Sequence, residues 1–183
     1  MRVAKKNFIL ILFALLFPHC IFASPYYGAT FSYVQIPKEP EFMYGYQFLV
    51  NYDPDCLKWR QFNLYFDGGF SHLWVTNWPH YRELNIYTLS PIVRYNFKKR
   101  GFISPYLEIS IGLAYLNHTR LEDRKFGIHL AFQDRFGIGF YVGNKQQFSL
   151  GIHAVHYSNA HLASDNSGIS IAMEIDIGYR FSR

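Results

Sequence analysis

Past residue 23 this chain holds a single cysteine, Cys56, which excludes an internal disulfide and a cysteine metal site in anything left after that point. It also lacks any apolar run there long enough to be a membrane helix. Charge of one sign is scarce as well. The formal +5 comes from 18 basic and 13 acidic residues, and three of the bases (Arg2, Lys5, Lys6) lie in the first six positions. Without them the count is 15 against 13, or +2, with no basic stripe beyond Lys98-Lys-Arg100. That balance excludes nucleic acid as the expected partner.

What is abundant is aromatic. Phe, Tyr and Trp make up 20% of the 183 residues, one domain's worth of chain. The start is not part of that domain. Met1-Arg-Val-Ala-Lys-Lys6 is a basic opening, Asn7 to Phe22 is almost wholly apolar, and Ile21-Phe-Ala23 ends on a small residue. Residues 1–23 therefore read as a signal peptide removed after Ala23, and 24–183 as the mature domain. Phe-Pro-His before Cys20 lacks the small residues of a lipidation site. An exported, aromatic-rich chain with no membrane helix points to an all-β fold, an eight-stranded antiparallel outer-membrane β-barrel with short periplasmic turns.

Eight alternating segments carry that expectation. Their apolar faces include Tyr27, Phe31 and Tyr33; Phe42 to Tyr52 by twos; Phe62, Leu64, Phe66 and Phe70; Tyr87, Leu89, Val93 and Tyr95; Leu107 to Tyr115 by twos; Leu130, Phe132, Phe136, Ile138 and Phe140; Phe148, Leu150 and Ile152; and Ile169 to Phe181 by twos. The opposite faces hold small and charged residues such as Asp67, Arg94, Glu108, Arg135, Glu174 and Asp176, suited to a narrow, paired lumen. Pro91, inside the fourth segment, predicts a bulge, because proline cannot donate to a ladder. An even strand number puts both termini in the periplasm. The seventh segment then runs outward, and its last residues reach outer-leaflet depth.

That seventh segment, Phe148-Ser-Leu-Gly-Ile-His-Ala-Val-His-Tyr-Ser-Asn159, is where chemistry is expected. One face reads Phe148, Leu150, Ile152, Ala154, His156, Ser158. Serine needs a base within reach to become a nucleophile. Residues i and i+2 of a strand lie about 6–7 Å apart, close enough for the two side chains to meet. An imidazole on a lipid-facing strand is costly unless used. A base and a hydroxyl on an apolar face suggest a hydrolase with an apolar substrate. The remaining histidines (His72, His80, His118, His129, His153, His161) lack metal-ligand spacing and read as loop or lumen residues.

His156-Tyr-Ser-Asn-Ala160, Asn166-Ser-Gly-Ile169, Phe132-Gln-Asp-Arg-Phe-Gly-Ile-Gly139 and Pro105-Tyr-Leu-Glu-Ile-Ser-Ile-Gly112 resemble the PagL family of lipid A 3-O-deacylases, most densely between about residues 103 and 181. The resemblance implies an eight-stranded outer-membrane barrel that removes the 3-O-linked acyl chain of lipid A. It implies Ser158 as nucleophile, His156 as base, Asn159 and Asn166 among the oxyanion-stabilising and loop-shaping groups, and no metal or cofactor. One position departs: where the family has a glutamate directly after the Asn-x-Gly-x run, this chain has Ser170.

The orienting acid is then open among Asp134, Asp165 and Glu174. Parity sends Glu174 to the lumen, and Asp165 lies in the loop before the last strand. Asp134 follows from hairpin arithmetic. If segments six and seven turn about Lys145, residues whose numbers sum to 290 face each other, and Asp134 faces His156. The expected partners are the membrane and lipid A or lipopolysaccharide in its outer leaflet, with loop residues His118, Arg120, Arg124 and Lys125 available to sugar phosphates. A homodimer stays open. The missing glutamate favours a runner-up, a non-catalytic barrel of the same family with a structural or surface role. A soluble secreted barrel that binds a lipophilic ligand comes third.

Overall fold

The structure, a computed structural model, describes residues 25–181 apart from 39, 40, 55 and 77. The expected signal peptide lies outside the described residues. Eight long strands follow one another: β1 (Tyr26–Lys38), β2 (Glu41–Asp53), β3 (Phe62–Val75), β4 (Glu83–Asn96), β5 (Ile103–Leu116), β6 (Leu130–Val142), β7 (Phe148–Ser158) and β8 (Ile169–Arg180). Each pairs antiparallel with its neighbours, and β1 pairs with β8, so the sheet closes on itself. No helix occurs among the described residues. Every strand is at least as long as a tilted spanning strand needs. One end of the barrel has the chain termini and the β2–β3, β4–β5 and β6–β7 connections (the turn end), and the other has the remaining connections, including the two longest, β5–β6 and β7–β8 (the loop end).

Alternation builds two surfaces. Outward residues such as Phe31, Phe48, Leu89, Ile111, Ile138 and Ile177 form an exposed apolar band, the surface of a barrel that faces lipid. Aromatic rings continue that band toward the turn end at Tyr27, Tyr52, Trp59, Phe62, Phe102 and Phe148.

Inside, the two halves differ. Toward the turn end lies an ionic network. Arg94 donates to Glu108 at 2.7 Å and also bonds Tyr141. His153 bridges Glu108 Oε1 at 2.6 Å and Asp176. Arg135 spans Asp176 at 2.7 Å and Asp67 at 3.3 Å, and Asn51 donates to Asp67 at 2.6 Å. Buried charges require this pairing. Gly137 has to be glycine, since a Cβ there would occupy the space of the His153 ring. Toward the loop end the interior is instead an apolar plug of Val34, Met43, Leu73, Leu84, Leu116 and Phe126 with their neighbours.

Two sequence expectations change. At Pro91 there is no bulge. The β4–β5 ladder skips the pairs at Ser90 and Pro91, yet the register is the same on both sides, with Leu89 opposite Leu113 and Ile92 opposite Ser110. Pro91 is exposed, and its carbonyl accepts from Ser110 Oγ at 2.8 Å. The bulge lies in β8 instead. His153 pairs with Glu174 but Val155 with Ile171, so Ala172 and Met173 together oppose Ala154. One extra residue reverses parity beyond it. Ile169 and Ile171, expected on the lipid face, are buried in the plug, and Ser170 faces outward.

Candidate active site

The bulge in β8 determines what surrounds His156. In the register beyond it, Ser170 is the direct cross-strand partner of His156, and Ser170 Oγ lies 2.8 Å from His156 Nδ1. On the other flank, β6 places Asp134 as the cross-strand partner of His156, in the register that the 290 sum predicts. Asp134, His156 and Ser170 line one outward hollow of about 330 Å³ together with Phe136, Ala154 and Ala172. Small residues at 154 and 172 open that hollow in an otherwise bulky wall. Ser158 lies on the same face of β7, one pleat further toward the loop end.

The connection from β7 to β8 closes over the imidazole. Gly168 holds φ +64°, and a Cβ there would sit 3.1 Å from His156 Cε1 and 3.0 Å from the Tyr157 carbonyl. Glycine is thus required both for the backbone and for the close approach of the ring. Asn159 is fully buried and knots the loop. Its Nδ2 donates to the carbonyls of Phe126 (2.5 Å) and Asp165 (2.7 Å), its Oδ1 accepts from His161 N–H (2.9 Å), and its own N–H donates to Asn166 Oδ1 (2.8 Å). Ala160 and His161 turn the chain here at φ 51° and 62°. Ser167 N–H donates to the Lys125 carbonyl at 2.8 Å, so the β5–β6 loop buttresses the β7–β8 loop. Beneath, Tyr157 points inward and accepts from Gln133 at 2.8 Å.

The residues named from sequence therefore separate. His156, Ser158 and Asp134 share the outer face. Glu174 is buried on the inner face of β8 opposite His153, away from the His156 ring. Asp165 enters the site through its backbone carbonyl, as an acceptor for Asn159. Asn159 and Asn166 shape the loop, and both Asn159 amide protons are spent on carbonyls. Ser170, noted in the sequence only as a departure, is the group in contact with His156. His72 is neither loop nor lumen: it lies on the outer face, stacked on Trp74 and tilted against Tyr46. Among the loop bases, Arg124 pairs with Glu122 at 2.5 Å and Arg120 lies over the Tyr81 ring.

Residues 44–181 match the family model described as Lipid A 3-O-deacylase (PagL). The chain belongs to that family. The lipid A deacylase PagL of Pseudomonas aeruginosa is 40% identical over 82 residues, covering 45% of this chain and 46% of that protein. Lipid A deacylase PagL of Bordetella bronchiseptica is 29% identical over 76 residues, covering 42% and 41%. The aligned part of the chain thus spans about half the length of these curated relatives. Against the crystal structure of the outer membrane enzyme PagL, 85% of this chain superposes on 99% of that one with TM-score 0.65 and 26% identity. Neisserial surface protein A shares the fold alone, at TM-score 0.53 and 11% identity over 86% of this chain and 97% of that one. The PagL family signature therefore covers strands β2 to β8 and the whole of the candidate site.

Proposed function

We propose that this protein is an outer-membrane esterase that removes the 3-O-linked acyl chain of lipid A, with Ser158 as nucleophile and His156 as general base. The observation that carries the reading is the Ser170 Oγ–His156 Nδ1 contact of 2.8 Å on a lipid-facing strand that ends in Ser158. With its proton on Nδ1 the imidazole donates to Ser170, leaving Nε2 as the base. Ser158 Oγ attacks the ester carbonyl as its proton passes to Nε2. The tetrahedral adduct then collapses, and the sugar hydroxyl leaves with that proton. Water, deprotonated by His156, hydrolyses the acyl-enzyme and frees the hydroxy fatty acid.

Two jobs that one carboxylate usually combines are here divided. Ser170 orients the ring by engaging Nδ1. Asp134, the cross-strand partner of His156, supplies negative charge beside the imidazolium. The oxyanion falls to backbone N–H groups at the start of the β7–β8 loop, Ala160 first among them, because the N–H groups of Asn159 and His161 are already bonded. The acyl chain lies against Phe136, Ala154 and Ala172. No step calls for a metal or cofactor.

Purified barrel in detergent, incubated with lipid A, tests this directly. Free 3-hydroxy fatty acid should appear with wild type and not with Ser158→Ala. Turnover that survives Ser158→Ala contradicts the nucleophile assignment. No turnover by either protein favours the runner-up, a non-catalytic barrel of this family, which the serine at position 170 supports.

A further inference from the structure

The connections at the turn end, between β2 and β3, β4 and β5, and β6 and β7, carry six basic residues: Lys58, Arg60, Lys98, Lys99, Arg100 and Lys145. Their one acidic residue is Asp55. Lys98, Lys99, Arg100 and Lys145 are exposed and make no ion pair among the described residues. Beside them runs a ladder of rings: Trp59 on Phe62 (6.1 Å), Phe62 on Tyr95 (5.1 Å) and Tyr95 on Phe97 (4.9 Å). Arg60 lies over the Trp59 ring. Trp59 is 67% exposed. Between the two turns is an open groove of about 470 Å³ lined by Gln61, Tyr95, Phe97, Lys98, Arg100 and Pro105. Its floor is tied by Asn96, whose backbone and side-chain N–H groups both reach the Gln61 carbonyl.

Apolar walls with two cations at the mouth fit one kind of ligand, an amphiphile with an anionic head. We propose that this groove binds an anionic glycerophospholipid, its phosphate against Lys98 and Arg100 and one acyl chain along Tyr95, Phe97 and Pro105. Basic clusters at a membrane surface attract such lipids, and exposed rings anchor at headgroup depth. The hollow beside His156 has the opposite character, with the acid Asp134 and no exposed lysine or arginine among its lining residues. The barrel thus offers a different lipid site at each end. The proposal rests on the membrane reading above, with the turn end in the phospholipid leaflet.

The chain has three tryptophans, Trp59, Trp74 and Trp78, so Trp74→Phe with Trp78→Phe leaves Trp59 as the sole reporter. The full chain so altered is refolded into phosphatidylcholine vesicles doped with brominated phosphatidylglycerol or, at equal mole fraction, brominated phosphatidylcholine. Brominated phosphatidylcholine should quench Trp59 as any neighbouring lipid would. Brominated phosphatidylglycerol should reach the same quenching at about one-fifth the mole fraction, the effect of roughly one basic residue at a membrane surface. Lys98→Gln with Lys99→Gln and Arg100→Gln should abolish that preference, as should 1 M salt. Equal quenching by the two lipids, or a preference that survives the triple change or high salt, overturns the site. No quenching by either lipid overturns the membrane reading beneath it. If the triple variant does not refold, the salt titration of the parent decides.

Discussion

Strand β7 carries two histidines three residues apart on opposite faces of one sheet, and they have opposite surroundings. His153 points inward, is 2% exposed, and has a carboxylate on each side: Glu108 at 2.6 Å and Asp176. His156 points outward into a hollow, where one ring nitrogen meets a serine hydroxyl. An imidazole with both nitrogens held by acids has nothing left to offer a substrate, so His153 is a structural member. An imidazole oriented through Nδ1 alone can still take a proton at Nε2. The difference is set by strand parity on one side and by the extra residue in β8 on the other.

The comparison breaks most visibly when each half is removed in turn. Ser158→Ala or His156→Ala should cost about 10³-fold or more in hydrolysis while the barrel melts as before, which a fatty-acid release assay and thermal unfolding together report. His153→Ala should do the reverse. It leaves Glu108 and Asp176 without their shared partner and costs about 3–5 kcal/mol of stability, with turnover per folded molecule retained. Equal loss of activity in both variants would mean that the two histidines do not have separate roles.

Gly168→Ala comes next. A methyl group 3.1 Å from His156 Cε1, on a backbone at φ +64°, displaces the ring, and misplacement of about 1 Å costs on the order of 10²-fold. Steady-state kinetics should show the loss in kcat rather than in KM. Ser170 has a smaller and more informative effect. Ser170→Ala removes one neutral hydrogen bond, worth about 0.5–1.5 kcal/mol, and should slow turnover by roughly two- to tenfold. Ser170→Glu puts a charge on Nδ1 and should raise kcat above wild type, an outcome that a merely structural serine does not predict. Asp134→Asn should matter least, no more than about fivefold, the range of an exposed charge pair. In the Ser170→Glu background it should have almost no effect. A loss of several orders of magnitude from Asp134→Asn alone would instead make Asp134 the orienting acid.

Much of this site was readable from the chain. Alternation located the strands, a two-residue step put His156 and Ser158 on one face of β7, and the short turn at Lys145 placed Asp134 opposite His156. The β8 bulge was not readable, for a physical reason. Ile169-Ser-Ile-Ala-Met173 is apolar at the ends of a barrel whose outer face meets lipid and whose inner face at the loop end is an apolar plug. A one-residue slip there moves isoleucine from one greasy environment to another, so hydrophobic patterning carries no signal. The same degeneracy hid the plug itself: alternation puts Leu73, Val75, Leu84 and Ile86 on the inner faces of β3 and β4, but side chains of that kind suit lipid equally well. Toward the turn end the lumen is ionic, and there Asp67, Arg94, Glu108 and Arg135 announced their faces. Pro91 misled in the other direction. A proline at an outward position drops ladder bonds without shifting register, so no extra residue was needed.

In the proposed mechanism His156, held by Ser170, makes Ser158 a nucleophile toward an ester of lipid A. Mass spectrometry of lipid A from one bacterial strain expressing wild type, Ser158→Ala or Ser170→Glu tests it most directly. Wild type should yield lipid A lighter by one ester-linked 3-hydroxyacyl chain, Ser170→Glu the same product in greater proportion, and Ser158→Ala unmodified lipid A. Identical lipid A from all three, with each barrel shown to be folded in the membrane, would contradict the account.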